Sequence, residues 1–360
     1  MKQAIIAMSG GVDSSVAALL TKETGDACIG ITMKLFHNED IGERREKACC
    51  SLDDVEDARS VAYKLGMPYY VFNFTERFKE TVMDRFVEAY LKGCTPNPCI
   101  DCNRYLKFDK LFWRMKELGR DYIVTGHYAR VEYDQSRGRY LLKKAIDSNK
   151  DQSYVLYMLS QEQLAHIRFP LGTLKKEQVR EIAEKHEFIN ARKHDSQDIC
   201  FVPDGNYSHF IESYTGVKSC PGDFTDQKGH VLGRHKGIIH YTIGQRRGLG
   251  ISDKNRRYVC RICPEENRVI LGSEQDLHSR ELTADEVNMI SCDFLDKPTP
   301  MKAKIRYRHP EQPCVAWQSE DGKLHVCFDK PQRAVTKGQS VVLYQGEEVV
   351  GGGVIREYFA

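Results

Sequence analysis

The chain has 360 residues, 41% hydrophobic and 29% charged, enough to bury a sizeable core and divide it among two or three domains. Its net charge is only +2, which excludes a uniformly basic coat and leaves any polyanion-binding surface to local patches. No apolar run approaches a membrane span and no signal-peptide pattern opens the chain, so a cytoplasmic location with no membrane partner is expected; there, thirteen cysteines read as reduced thiols, metal ligands or catalytic groups rather than a disulfide framework.

Ala4 to Ala7 reads as a strand, Met8-Ser9-Gly10-Gly11-Val12-Asp13-Ser14-Ser15 as a tight loop, and the apolar run from Val16 as a helix. Two glycines let consecutive N–H groups turn inward, and the helix N-terminus behind them adds partial positive charge, so the loop is a phosphate cradle. Ser14 and Ser15 can donate hydroxyls to phosphate oxygens, and Asp13 can cap the helix or help hold a metal ion. No Lys follows the second Gly, so this is not a Walker A loop. Ser-Gly-Gly-x-Asp-Ser instead resembles the PP-loop of ATP pyrophosphatases, which cleave ATP to AMP and pyrophosphate to adenylate an oxygen.

Further along, Ala27–Met33 and Tyr69–Phe72 read as strands, Asp53–Leu65, Thr75–Lys92 and Arg104–Leu118 as helices, and Tyr122–Thr125 as another strand. This alternation predicts a mainly parallel sheet with helices on both faces, the PP-loop at its carboxyl edge, and Met33 and Gly126 near the same crevice. Gly126 allows a close backbone approach; His127 either touches phosphate or substrate or is a satisfied structural residue. A hairpin follows over 131–142, then a polar stretch from Asp147 to Tyr154. Lys175–Lys185 reads as an amphipathic helix whose charges are mostly a solvated face. Past residue 205, glycines punctuate a compact segment, and from 280 short strands suggest a small β-barrel. Lys302, Lys304, Arg306 and Arg308 alternate with apolar residues, so period two puts four cations on one strand face; Arg246-Arg247 and Arg256-Arg257 add more.

Cys94, Cys99 and Cys102 lie in a proline-stiffened loop ahead of the helix expected from Arg104. A position near that helix N-terminus predicts a lowered pKa and a nucleophilic Cys102. Cys99 and Cys102 also form a C-x-x-C pair suited to zinc, an iron–sulfur cluster or a redox couple. Cys200 stands beside Phe201-Val202. Cys260 and Cys263, three apart on a strand, would point to opposite faces, and Cys49-Cys50 next to Ser51 is placed at a helix start.

The PP-loop, Asn97-Pro98 with Cys102-Asn103, Gly126-His127-Tyr128, Asp147 to Tyr154, Asp195-Ser196 with Ile199-Cys200-Phe201, His240 to Gly250 and Arg306-Tyr307-Arg308 occur in one order. Taken together they closely resemble the bacterial tRNA-specific 2-thiouridylases over nearly the whole length. The resemblance implies an α/β fold: a parallel-sheet PP-loop (adenine nucleotide alpha hydrolase-like) domain at 1–205, a small central domain at 206–279 and a C-terminal β-barrel RNA-binding domain at 280–360. It implies ATP with Mg2+, adenylation of the C2 oxygen of the wobble uridine in tRNAs for Lys, Glu and Gln, and attack by a cysteine persulfide loaded by a cysteine desulfurase or relay protein. By position, Cys200 carries the persulfide, and Cys102 is its partner nucleophile and closes a disulfide with it. Ala7, Met8, Ser9, Gly10, Gly11, Val12, Asp13, Ser14, Met33 and Gly126 fall on ATP-binding positions. Asn97, Pro98 and Cys99 meet the flipped base; His127, Lys150, Asp151, Gln152, Arg306, Tyr307 and Gln339 fall on tRNA-contacting positions. This fits general chemistry: oxygen is a poor leaving group until adenylated, and a base is reached only outside its stack. Many family members have Asp where this chain has Cys99. That removes the family's proton-transfer carboxylate, leaves Asp101 as a neighbour in sequence, and creates a three-thiol set of Cys99, Cys102 and Cys200 that would suit an iron–sulfur cluster. The rival readings are another PP-loop adenylating enzyme, such as an amidotransferase synthetase or lysidine synthetase, and a non-catalytic RNA- or metal-binding module.

Overall fold

The computed structural model describes residues 1–37, 52–195, 199–251 and 255–359, which fall into two compact units. Cys49, Cys50, Ser51 and Ser196 lie outside the described residues. The first unit comprises residues 1–82, 99–205 and 346–350. Its centre is β1 (Gln3–Ala7), followed by α1 (Val12–Glu23), β2 (Ala27–Lys34), α2 (Leu52–Lys64), β3 (Tyr69–Asn73) and β4 (Tyr122–Val124). The hairpin β5 (Ala129–Asp134) and β6 (Arg139–Lys144) and the short β7 (Ile167–Arg168) come next. The sheet has the order β3-β2-β1-β4-β7, and each of its pairings is parallel. A central parallel strand is covered on both faces, which is why Ala4, Ile5 and Ile6 form an unbroken apolar run with no exposed surface. α1 buries Val16, Ala17, Ala18 and Leu19 in the core cluster of this unit.

The chain runs from β1 outward through β2 to β3, then returns to place β4 on the other side of β1. That reversal makes the carboxyl ends of β1 and β4 the switch point of the sheet, where open α/β folds hold ligands.

Two expected helices differ in detail. Thr75 to Leu91 is helical but wound wide over Lys79–Met83, and the helix expected from Arg104 begins at Pro98, with a wide stretch over Asn103–Lys110 before Leu111–Glu117. Proline is well suited to a first helical turn, where its missing N–H costs nothing. Pro98 therefore starts the helix, while Pro96 stays in the irregular segment ahead of it.

The second unit comprises residues 83–98, 206–345 and 351–360. β8 (Gly222–Thr225), β9 (Val231–His235), β10 (Tyr258–Cys263) and β11 (Arg268–Gly272) form a small sheet of order β10-β11-β8-β9 around Phe224, Val259, Val269 and Leu271. β12 (His278–Met289), β13 (Thr299–Lys304), β14 (Gln312–Gln318), β15 (Leu324–Arg333), β16 (Ser340–Gln345) and β17 (Glu348–Phe359) make an antiparallel barrel that closes where Leu282 of β12 faces Tyr358 of β17. Closure removes unpaired sheet edges.

The expected stripe of four cations is not observed. β13 ends at Lys304, and Arg306 and Arg308 lie in a bend and turn closed by the His309 amide on the Arg306 carbonyl at 3.1 Å. Arg306 is drawn inward: its guanidinium donates to Thr336 Oγ1 at 2.6 Å, to the Ala334 carbonyl at 3.1 Å and to the Ile243 carbonyl at 3.4 Å. Three acceptors outweigh strand continuation. Lys302 and Lys304 alone keep the period-two placement.

Candidate active site

β1 leads into the PP-loop with its end pinned. The Met8 amide donates to the Ile31 carbonyl at 2.7 Å, and Thr32 Oγ1 donates to the Met8 carbonyl at 2.6 Å. Ala7 and Met8 are the last strand and first loop positions; Ser9 is exposed, and Gly10 has φ +74 with a would-be Cβ 2.3 Å from the Asp54 carbonyl oxygen. A left-handed φ and a backbone at that distance both require glycine. Gly11 is the N-cap of α1 with no side chain capping it, so the amides of the first turn, from Val12 onward, keep no side-chain acceptor among the described residues. Ser14 Oγ accepts from the Ser9 amide at 3.1 Å and donates to the Gly11 carbonyl at 2.9 Å, which fixes the loop's curvature.

Gly126 follows β4 directly. A Cβ there would lie 2.8 Å from Asp13 C and Ser14 N, so the two loops touch backbone to backbone. Met33 lies near the end of β2, whose partner residues on β1 end at Ala7. The structure therefore gathers Ala7 to Ser14, Met33 and Gly126 at the carboxyl ends of three adjacent strands.

Asp13 does not cap the helix. Its carboxylate receives Lys176 Nζ at 2.7 and 2.9 Å and Tyr128 Oη at 2.7 Å. Lys176 also reaches Asp195 Oδ1 at 2.7 Å, while Asp195 accepts from Lys150 Nζ at 2.7 Å and Arg180 at 3.2 Å. Burial pushes the Asp195 carboxyl up, but hydrogen bonds from Lys150 and Lys176 and their charges outweigh it and leave it below the usual carboxylate range. Burial and the neighbouring Asp13 charge push the Tyr128 phenol far up, so it stays a donor. Behind the loop, Lys193 bonds Asp54 and Asp57, each at 2.6 Å, and Asn190 Nδ2 donates to the Gly10 carbonyl at 2.9 Å. Lys176, Asn190 and Lys193 were not legible as site residues. Lys176 starts a helix that reads as a charged solvent face, yet it is 9% exposed.

His127 has the structural environment of its two expected ones. It is buried beside Phe108 and Phe169, its Nδ1 is 2.7 Å from Thr125 Oγ1, and burial drives its pKa well below the usual imidazole value, so it is neutral. Gln152 Oε1 accepts from the Tyr128 amide at 3.0 Å, and Asp151 accepts from the Ala145 amide at 3.0 Å and Ser153 Oγ at 2.8 Å. These bonds lock the 150–152 stretch beside Tyr128. In the second unit, Gln339 Nε2 donates to the Thr95 and Pro96 carbonyls at 2.8 and 3.3 Å, which fixes the segment leading to Asn97 and Pro98. Tyr307 is 37% exposed.

Cys102 departs from expectation. It is the fifth residue of a helix rather than a residue ahead of one, and it is buried; burial pushes its thiol above the ordinary cysteine value, against a smaller pull from Lys107. Helix initiation at Pro98 moved it from the electropositive end into a covered interior. Cys99 is exposed, Cys200 is half-buried, and none of the three is in a disulfide. Cys200 sits in a turn anchored by Phe201, whose ring meets Phe78 edge-on at 5.6 Å. Among the described residues no group of three or more His, Cys, Asp or Glu side chains is placed to hold a metal ion, so Cys99, Cys102 and Cys200 do not form a cluster-binding set. Asp13 likewise does not fit a direct metal ligand while Lys176 holds both of its oxygens.

Residues 2–204 match the family model described as a tRNA methyl transferase HUP domain, 208–273 the tRNA methyl transferase PRC-barrel domain, and 279–355 an aminomethyltransferase beta-barrel domain. The tRNA-specific 2-thiouridylase MnmA of Acetivibrio thermocellus is 52% identical over 99% of both chains. A 2-thiouridylase of Caldanaerobacter subterraneus is 54% identical over 98% of this chain and 97% of its own, and that of Clostridioides difficile 50% identical over 99% and 98%. The chain belongs to the tRNA-specific 2-thiouridylase family. As a family member it is a tRNA sulfurtransferase of the PP-loop superfamily. No helix among the described residues of this thiouridylase is long and apolar enough to cross a membrane.

Proposed function

We propose that this chain uses ATP to adenylate the C2 oxygen of the wobble uridine in tRNAs for Lys, Glu and Gln, and then replaces that oxygen with sulfur from a persulfide. The observation that carries the reading is the PP-loop at the switch point of the parallel sheet, with Gly126 in backbone contact with Asp13 and Ser14. In this reading Ala7 to Ser14, Met33 and Gly126 hold ATP, and Asn97, Pro98 and Cys99 meet the base. His127, Lys150, Asp151, Gln152, Arg306, Tyr307 and Gln339 serve the tRNA, several of them by shaping the backbone that meets it. The division of labour follows residues 1–205, 206–279 and 280–360.

The chemistry runs in two steps. The C2 oxygen attacks the α-phosphorus of ATP and pyrophosphate leaves. The terminal sulfur of a persulfide on Cys200 then bonds to C2 as the bond to the AMP oxygen breaks. Cys102 attacks Cys200 sulfur, forming a disulfide and leaving the transferred sulfur on C2; a thiol reductant restores both cysteines, and a cysteine desulfurase or relay protein reloads Cys200. Since burial holds Cys102 as a neutral thiol, it must lose its proton as it attacks. The site of action is the cytoplasm, where tRNA and ATP are found.

Single-turnover assays test this: tRNA, ATP and persulfide-loaded protein should yield AMP and thiouridine in equal amounts. Thiouridine formed without AMP would overturn the reading.

A further inference from the structure

We infer that Lys176 is a positioning residue that couples adenylation to sulfur transfer, by tying the PP-loop helix to the root of the Cys200 segment. The inference rests on the thiolation reading above. Lys176 is 163 residues from Asp13 in sequence, yet its ammonium lies 2.7 and 2.9 Å from the two Asp13 oxygens and 2.7 Å from Asp195 Oδ1. Asp13 sits in the first turn of α1, directly behind the phosphate cradle. Asp195 stands five residues before Cys200. One buried cation thus joins the element that holds the nucleotide to the segment that carries the sulfur.

The remaining charges show why the link responds to both substrates. Asp195 is shared with Lys150 at 2.7 Å and Arg180 at 3.2 Å, and Asp13 with the Tyr128 hydroxyl at 2.7 Å. The order Lys150, Asp195, Lys176, Asp13 alternates in sign along its whole length. Lys150 is half-exposed and falls on a tRNA-contacting position, so RNA phosphate draws it from Asp195 and leaves Lys176 as that carboxylate's main partner. Binding of tRNA then tightens the Asp195–Lys176–Asp13 connection when the adenylated base must meet its sulfur. Without the link, adenylated uridine waits for a misplaced thiol; water attacks instead, returning uridine and AMP without thiouridine.

The test is the ratio of AMP to thiouridine, measured with full-length protein, tRNA, ATP, and a cysteine desulfurase with cysteine as sulfur source. Lys176→Met and Asp195→Asn should each raise AMP per thiouridine by on the order of tenfold to a hundredfold, the range that misplacement of a reacting group produces. Lys176→Arg, which keeps the charge, should return the ratio most of the way to the wild-type value. Asp195→Asn keeps the shape of the side chain that three cations share, so it reports even if Lys176→Met is too unstable to assay. A ratio that stays at the wild-type value in Asp195→Asn, whether both rates fall together or neither falls, would overturn the inference and leave Lys176 a purely structural or nucleotide-holding group. Wild-type protein that forms thiouridine without AMP would instead overturn the thiolation mechanism itself.

Discussion

The crevice of the first unit and the glycine-rich loop of the second are both rich in charge, but they meet it in opposite ways. Around the PP-loop, Asp13, Lys176, Asp195 and Lys150 neutralise one another at hydrogen-bond distance, and Lys193 is held by Asp54 and Asp57. In the second unit, Arg246 and Arg247 are exposed and carry no ion pair among the described residues, and Arg246, Arg256 and Arg257 line one shallow cavity with Gly248 and Gly250. Charges that must stay fixed while bonds are made are paired and covered, because a desolvated cation left alone is costly. Arg246 and Arg247 stay wet, and a polyanion meeting such exposed cations would release its counterions.

The sharpest way to break this comparison is at the chemistry itself. Cys200→Ser should abolish thiouridine formation while AMP formation with tRNA stays measurable; loss of both in a folded variant would merge the two steps. Next comes the cradle: Gly126→Ala drives a Cβ to 2.8 Å from two backbone atoms of the PP-loop, and should cost about a hundredfold in kcat/KM for ATP and lower the melting temperature as the backbone shifts. On the other side, Arg246→Ala and Arg247→Ala should each weaken tRNA binding only several-fold and lower the salt slope of log affinity by about one, leaving the KM for ATP alone. An equal loss for ATP and tRNA would erase the distinction between the regions.

Two smaller effects sharpen it through pH. His127 is buried neutral, so its folded pKa lies below the unfolded one. The unfolded chain then binds more protons, and the contribution of this site to stability, complete above about pH 6.5, is lost as pH falls. Thermal melts from pH 8 to 5 should show this acid loss, and His127→Gln should flatten it. Cys102 is raised by burial, so its alkylation by iodoacetamide should lag far behind that of exposed Cys99 at pH 7 and catch up as pH rises. Fast, pH-independent labelling of Cys102 would show that the helix from Pro98 opens freely.

Much of the site was legible before folding because it is local. A strand of Ala and Ile, two glycines and a helix written consecutively have few ways to arrange themselves, so the PP-loop and its place at a sheet edge follow from residues 4–20. The alternation of strand and helix implied the parallel sheet in the same way. The long-range ion pairs were not legible, since nothing in the pattern around Lys176 marks it as different from Lys175 or Lys185. Period two, extended past Lys304, failed for the same reason: whether a strand continues depends on acceptors elsewhere, here Ala334 and Thr336, that claim Arg306.

The sequence by itself determined the fold class, the phosphate loop and the family, because these rest on contiguous motifs and backbone geometry. Only the tertiary structure decided which charges are buried and paired, that Asp13 serves Lys176 and Tyr128 rather than a helix cap, and that Cys102 lies covered inside a helix. Burial and partnership are set by segments far apart in the chain, and they govern protonation and position alike.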